Sequence, residues 1–365
     1  MRVLLVAPSS HTRLHHLVPL GWALRTAGHA VLIAARPAFT EAVTAAGFVA
    51  VAVGTDAPDG SDSPGAASGD SADGARLAEQ ADVDGLVAHG ERWRPDLVLW
   101  DAHAPAGATA AGLLGAARVR VVGPFDSRPG ADGDPVDRTA GERAGGERVA
   151  GERVAGERAD GDGTLDCLPP SLRRSEDADN LSVRLVPYTG PDVIPAWLQR
   201  TPRTRRIYVA PDVPDSAIPA LFDAAAGTDA ELICELSQDR IPPGVQLPAQ
   251  ARLFDSVPAG TVLASCVGVV HGGGTALAMA ALSHGLPQLT LLSDSAAPGA
   301  GIAQRLAQHG AGLLSDPARL DAAVIGQLAG DSPAREKARL LLKEMTSMPT
   351  PREVVPELVG IATGR

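Results

Sequence analysis

Cysteine and aromatic side chains are scarce in this 365-residue chain, and long apolar runs are missing altogether. The three cysteines, Cys167, Cys234 and Cys266, are odd in number and far apart. They fit neither a disulfide framework nor a clustered zinc site, and they suit a reducing compartment. No window approaches the ~20 apolar residues of a spanning helix, and the short run Val3 to Ala7 gives way to polar residues too soon for a secretory leader. A cytoplasmic protein without a membrane span is expected. Basic charge is also in deficit: 43 Asp and Glu face 32 Lys and Arg, a net charge of −11. Nucleic-acid binding rests on cationic side chains that neutralise phosphates, so no nucleic-acid partner is expected. With aromatics at 3%, the core must be assembled from Ala, Val and Leu. Three motifs are absent as well: Gly-x-Gly-x-x-Gly, a Walker loop and Gly-x-Ser-x-Gly. Dinucleotide, ATP and esterase chemistry therefore lack support.

What is present reads as repeated β-α units in two halves, an α/β fold of two Rossmann-like, doubly wound domains. Val3 to Ala7, Ala30 to Ala34, Val49 to Val53, Asp96 to Trp100 and Val119 to Val122 have the apolar character of strands buried on both faces. Helical periodicity covers Leu17 to Ala27, Thr40 to Ala46 and Gly107 to Leu114, with stops at Gly28 and Gly47. Strand character resumes at Leu181 to Val186. After the extended stretch Pro187 to Pro191, a second series begins, with strands at Ile207 to Ala210, Glu231 to Leu236, Val267 to Val270 and Gln288 to Leu292. Helices are expected between them at Ile218 to Ala226 and Thr275 to His284, and then at Gly301 to Gln308. Two such halves joined by a linker imply a central cleft.

Two segments depart from this pattern. From 126 to 166 the chain is rich in Gly, Asp, Glu and Arg, and Gly-Glu-Arg recurs at 141–143, 146–148, 151–153 and 156–158. A five-residue period matches no solenoid unit and offers little to bury, so a solvated, flexible insertion is expected. The Gly/Ser/Asp-rich stretch Gly54 to Gly74 reads as a second such loop.

Chemistry concentrates in two places. His271-Gly272-Gly273-Gly274-Thr275 leaves a strand and opens a helix, where glycines allow close backbone approach and the N–H groups of a helix N-terminus favour phosphate or another anion. The second place is Ser9-Ser10-His11-Thr12-Arg13-Leu14-His15-His16, expected as a loop at the carboxyl end of the first strand, where open α/β sheets bind ligands. His11, His15 or His16 could take a hydroxyl proton there, with Asp101, at the end of another strand, orienting the imidazole. His11 and His15 have the i, i+4 spacing of metal ligands but no acidic or thiolate third ligand nearby, so no metal is expected.

The motifs Leu17-Val18-Pro19-Leu20-Gly21-Trp22-Ala23-Leu24-Arg25 with Gly28-His29, Ala50 to Asp56, Val186 to Pro191 with Ile194 to Leu198, Val269 to Gly273, Gly285 to Gln288, and Gly310 to Gly312 carry a resemblance. The chain is similar to the GT-B glycosyltransferases that attach deoxysugars to polyketide antibiotics in actinobacteria, over Arg2 to about Pro124 and Leu165 to about Asp316. The resemblance implies an acceptor-side domain at 1–186, interrupted by the 126–166 insertion, a linker at 187–206, and a nucleotide-sugar-side domain at 207–365 with a helical tail. It implies an inverting, metal-independent transfer with no bound cofactor. The co-substrate would be a dTDP- or UDP-linked sugar whose diphosphate meets His271 to Thr275. A base near the first loop would deprotonate the aglycone. In some members a helper protein docks where the insertion lies here, so a helper or a second copy is an implied partner.

Departures from the family pattern fall where ligands would be touched. The family's loop histidine aligns with Arg13, whose guanidinium is no base at neutral pH, so His11, His15 or His16 would replace it. A small polar turn after the second domain's first strand becomes Ala210-Pro211-Asp212, bringing a carboxylate towards the diphosphate. Ser256 stands where an aromatic residue stacks on the base, the glycine loop is one residue shorter, and Asp294 is not followed by the Gln of the sugar-binding pair. Two readings follow: a transferase with a rebuilt donor pocket, or a relative with lost or altered donor binding, serving as an auxiliary protein or in other chemistry on a polyketide.

Overall fold

The computed structural model describes residues 1–56, 70–123, 162–173, 179–291 and 300–364. Two parallel sheets carry the chain. The first contains β1 (Arg2–Val6), β2 (Ala30–Ala35), β3 (Val49–Ala52), β4 (Leu97–Asp101), β5 (Ala117–Val122), β6 (Gly163–Asp166) and β7 (Leu181–Ser182), in the order β3-β2-β1-β4-β5-β6-β7. The second contains β8 (Arg206–Val209), β9 (Glu231–Cys234), β10 (Ala251–Leu253), β11 (Gly268–His271), β12 (Gln288–Leu291) and β13 (Gly312–Ser315), in the order β10-β9-β8-β11-β12-β13. Every residue of β4 is buried, as are all four of β8 and of β11. Such strands read as unbroken apolar runs because helices cover both sheet faces.

The strand order reverses at β1/β4 in the first sheet and at β8/β11 in the second. A crevice opens at the carboxyl ends of the strands at each reversal, because the connections leave towards opposite faces. The segments after β1 and β4 thus meet at one crevice, and those after β8 and β11 at the other.

Helix α1 (His11–Thr26) starts at His11, six residues before the periodicity suggested, so the three histidines occupy its opening turns rather than a loop. Its N-cap, Ser10, makes no side-chain capping bond and the first turn holds no acid, so the usual start signals are absent. Helix α2 (Thr40–Ala45) ends ahead of Gly47, at φ +82, where a side chain would be strained. Helix α3 (Asp70–Trp93) takes up 70–74 of the expected second loop, of which 57–69 lie outside the described residues. The expected insertion needs a similar correction: 126–161 lie outside the described residues, but Gly163–Asp166 is β6, in register with Val119–Val122. Leu165 is fully buried in the core, which is why this end of the segment pairs.

Helix α4 (Ala106–Leu114) follows β4 and is closed by Gly115 in the left-handed region. In the second half, α5 (Ile218–Ala226), α6 (Ala259–Leu263), α7 (Thr275–Leu282), α8 (Ala300–Gln308) and α9 (Ala322–Ala329) alternate with strands. The chain then runs through α10 (Pro333–Ser347) into α11 (Pro351–Thr363). Helix α11 opens with a capping box between Thr350 and Glu353. It returns to the first sheet, where Val354, Val355 and Leu358 join the core formed with Leu17 and Leu165. Leu168 and Leu172 pack in turn against Met279 and Leu341 of the second half, and the Arg305 guanidinium donates to the Leu172 carbonyl at 2.8 Å. The two halves are thus joined by packing as well as by the linker.

Candidate active site

At the first reversal, β1 runs into α1 and β4 ends at Asp101, which is fully buried. Arg13, on the second residue after the start of α1, reaches across. Its Nη1 donates to Asp101 Oδ1 at 3.1 Å, and its Nη2 donates to His103 Nε2 at 3.2 Å. The His103 amide donates to the same Asp101 oxygen at 2.8 Å. Since arginine can only donate, His103 Nε2 is the acceptor in this contact. This corrects the expectation that Asp101 orients an imidazole of His11, His15 or His16. The carboxylate is instead engaged by the Arg13 guanidinium, which reaches the end of β4 from the opening turn of α1. Beside this ion pair lies a cavity of about 490 Å³ bordered by Ser9, Ser10, Arg36, Asp82 and Leu86.

The histidines of α1 face elsewhere. His11, His15 and His16 line a cavity of about 650 Å³ between the two halves. Tyr188, Thr189 and Asp192 of the linker, Tyr208, Asp212, Glu235 and Ser256 of the second half, and Gly274, Ala276 and Leu277 at the start of α7 complete its walls. His15 meets Tyr188 edge to face, with ring centroids 5.1 Å apart, and lies 6.2 Å from the His11 ring. Burial first, and then the neighbouring His11, lower the pKa of His15, so the ring is neutral near pH 7 and able to accept a proton. His11 is exposed and packs on Phe39, with centroids 5.0 Å apart.

At the second reversal, β11 ends in His271 and α7 begins at Thr275, so the loop is placed where its sequence suggests. His271 itself is fully buried. Its Nδ1 accepts from the Gly273 amide at 3.1 Å, so the ring proton sits on Nε2, which donates to Gln288 Oε1 at 3.1 Å. Thr290 Oγ1 lies 3.3 Å from the same nitrogen, and Gln288 is fixed by its own donation to the Ala278 carbonyl. Burial lowers the His271 pKa, Asp212 and Gln288 acting in the opposite sense, and the ring is a neutral staple that shapes the loop. Gly273 has φ +110, which explains glycine there. The Gly272 amide donates to Asp212 Oδ1 at 3.0 Å and the Gly274 amide to Asp212 Oδ2 at 2.9 Å. Thr275 is buried at the first position of α7.

Other cleft residues escaped the sequence reading. Tyr208 donates its hydroxyl to Glu235, whose pKa is raised chiefly by burial. Phe254, two residues before Ser256, stacks on Trp197 with centroids 4.3 Å apart, so it is turned into the packing of the second half. His103 was visible only as the second residue past a strand. Asp294 and the stretch around it, 292–299, lie outside the described residues. Among the described residues no three His, Cys, Asp or Glu side chains converge as metal ligands, and no helix is long and apolar enough to cross a membrane.

This arrangement, two parallel-sheet halves around a cleft with a glycine loop on one wall, has close counterparts. The family model described as erythromycin biosynthesis protein CIII-like matches with its N-terminal domain over 22–68 and 71–211, and with its C-terminal domain over 219–361. This chain belongs to that family. Its relatives include an erythronolide mycarosyltransferase of Saccharopolyspora erythraea, 33% identical with 98% of both chains aligned. A tylactone mycaminosyltransferase of Streptomyces fradiae is also 33% identical, over 98% of this chain and 92% of its own. Among solved structures, the glycosyltransferase VinC in complex with dTDP superposes with a TM-score of 0.80 at 28% identity, covering all of both chains. The spinosyn forosaminyltransferase SpnP does so at 0.79 and 31%, covering 100% of this chain and 99% of its own. The CIII-like fold seen here is therefore GT-B, with its sheets in the relation found in antibiotic deoxysugar glycosyltransferases.

Proposed function

We propose that this CIII-like protein transfers a deoxysugar from a nucleoside-diphosphate donor, thymidine- or uridine-linked, to a polyketide aglycone in antibiotic biosynthesis. The observation that carries this reading is the cleft itself, which sets His15 and Tyr188 opposite the glycine loop and the start of α7. The named relatives transfer sugars of this class to such acceptors. Relatives crystallised with dTDP and with spinosyn aglycone support both substrate classes.

In this reading the acceptor enters from the side of the first sheet, and the neutral His15 ring takes the proton of its hydroxyl. The acceptor oxygen attacks the anomeric carbon as the bond to the diphosphate breaks, inverting the centre. Amides at the start of α7 take up charge on the departing diphosphate, so the residues need no metal for this step. Arg13 and Asp101 hold the floor of the acceptor side rather than acting as base and orienter. The protein works in the cytoplasm, consistent with three buried cysteines that form no disulfide.

A second reading, an auxiliary relative without donor use, is favoured by one observation. Among the described residues that line the cleft there is no Lys or Arg, while Asp192, Asp212 and Glu235 are present.

The deciding experiment incubates the protein with dTDP-deoxysugars and macrolide or anthracycline aglycones and looks for the glycoside by mass spectrometry. His15→Ala should lower turnover by about 10²–10⁴ while dTDP affinity is kept. Full activity in that variant removes His15 as the base. Absence of product together with absence of dTDP binding favours the auxiliary reading.

A further inference from the structure

Every glycine amide of the 272–274 loop already has an acceptor inside the chain. Gly273 is bound to His271 Nδ1, and Gly272 and Gly274 are bound to the two oxygens of one carboxylate, that of Asp212. Two N–H groups converging on two oxygens at 3.0 and 2.9 Å is how such a loop holds a bound oxyanion. The fit is close: a Cβ added at Gly272 would stand 1.9 Å from the Asp212 carbonyl oxygen, and one at Gly274 would stand 2.7 Å from Oδ2. The second reversal explains the juxtaposition, because Asp212 follows β8 and the glycines follow its neighbour β11.

The segment that presents Asp212 is itself held. Arg240 Nη1 donates to the Pro211 carbonyl at 2.5 Å and Nη2 to the Val213 carbonyl at 2.7 Å, bracketing Asp212. Its Nε and Nη2 also bind Asp215 Oδ1, at 2.8 and 2.6 Å. Asp212 is nevertheless exposed to solvent, so its carboxylate can leave the loop without unpacking the core.

We propose that Asp212 is a tethered internal anion that occupies the diphosphate seat, and that a donor binds only by displacing it, with Arg240 setting how hard it is to displace. The inference rests on the proposed reading of the glycine loop as the seat of the donor diphosphate. Asp212 competes with the donor on two counts. It uses the amides that a phosphate would bind, and, once displaced, it leaves a negative charge beside the diphosphate in a cleft wall without Lys or Arg among the described residues. A tethered competitor raises the apparent Kd by the reciprocal of the fraction of time it leaves the site free.

Titration calorimetry of dTDP against wild type, Asp212→Ser and Arg240→Met tests this. Serine is too short to reach both amides, so Asp212→Ser should bind dTDP at least ten-fold more tightly. Arg240→Met should move affinity in the same direction by a smaller factor. Asp212→Asn, nearly isosteric, serves if the serine variant does not fold: its amide group must face one of the two N–H donors, and dTDP should again bind more tightly. Equal or weaker binding in the Asp212 variants, or no binding in any of them, overturns the proposal. The transfer reaction is scored separately. If no aglycone is ever glycosylated but the Asp212 variants gain dTDP affinity, the transferase reading fails and this one stands. If transfer proceeds and the Asp212 variants neither bind dTDP more tightly nor lower donor KM, the reverse holds.

Discussion

Replacing Arg13 by Met should destabilise the first domain by about 3–4 kcal/mol. Asp101 is wholly buried, and the Arg13 side chain, 13% exposed, closes on it at 3.1 Å. Removing one partner of a buried ion pair typically costs about 3–5 kcal/mol, because the other charge is left in a low-dielectric site. The lower part of that range applies here, since the His103 amide still donates to Asp101 at 2.8 Å and methionine keeps most of the packed volume. Asp101→Asn removes the charge itself, so Arg13→Met should cost far less in that background, and the double-mutant cycle should show strong coupling. Urea unfolding followed by tryptophan fluorescence suits the test, because Trp100, 2% exposed, adjoins Asp101 in β4. A loss below about 0.5 kcal/mol for Arg13→Met, or additive costs in the double variant, would refute the claim that this pair is structurally coupled.

Two further outcomes can be checked by unfolding. His271 and His15 have pKa values lowered by burial from 6.5, so the fold holds them neutral while the unfolded chain protonates. Their contribution is complete above pH 6.5 and is lost as pH falls towards the folded value, by up to about 2 kcal/mol at pH 5 for a histidine that stays neutral. Glu235, raised by burial, acts in the opposite sense: its contribution lies at low pH and fades as pH rises through its folded value. The informative comparison is therefore wild type against His271→Gln, which should show the shallower loss between pH 7.5 and pH 5, conditions spanning the ~6.5 reference value; parallel curves would contradict the neutral staple. Leu358→Ala, at a fully buried position of α11 in the first-sheet core, should cost about 2–5 kcal/mol, read as a lower urea midpoint for the first domain. An unchanged midpoint would mean that α11 does not support that core.

Most of the elements were legible locally. The apolar run Ile218–Ala226 was expected as a helix and is α5 with the same limits. Strands β1, β2, β4, β8 and β11 lie within a residue or so of their apolar runs, because parallel strands covered on both faces leave an unambiguous hydrophobic signature. The start of α1 was not legible, since Ser10 makes no side-chain capping bond and the histidines have weak helix preference. Strand β6 was hidden behind a composition typical of solvated chain, and pairing with β5 and β7 makes Gly163–Asp166 a strand.

The sequence by itself determined the α/β class, the two halves, the glycine loop between a strand and a helix, and the family. It also showed that Arg13 and Asp212 are unusual. Only the tertiary structure decided what those two residues do. Arg13 and Asp101 are 88 positions apart, and Asp212 and Gly272 are 60 apart, so neither pairing follows from spacing along the chain. Both follow from strand order: β1 lies beside β4 and β8 beside β11, and each reversal draws two distant segments into one crevice. Hydrophobic periodicity specifies which residues enter a sheet. Which charged side chains then meet at its edge depends on which strands become neighbours.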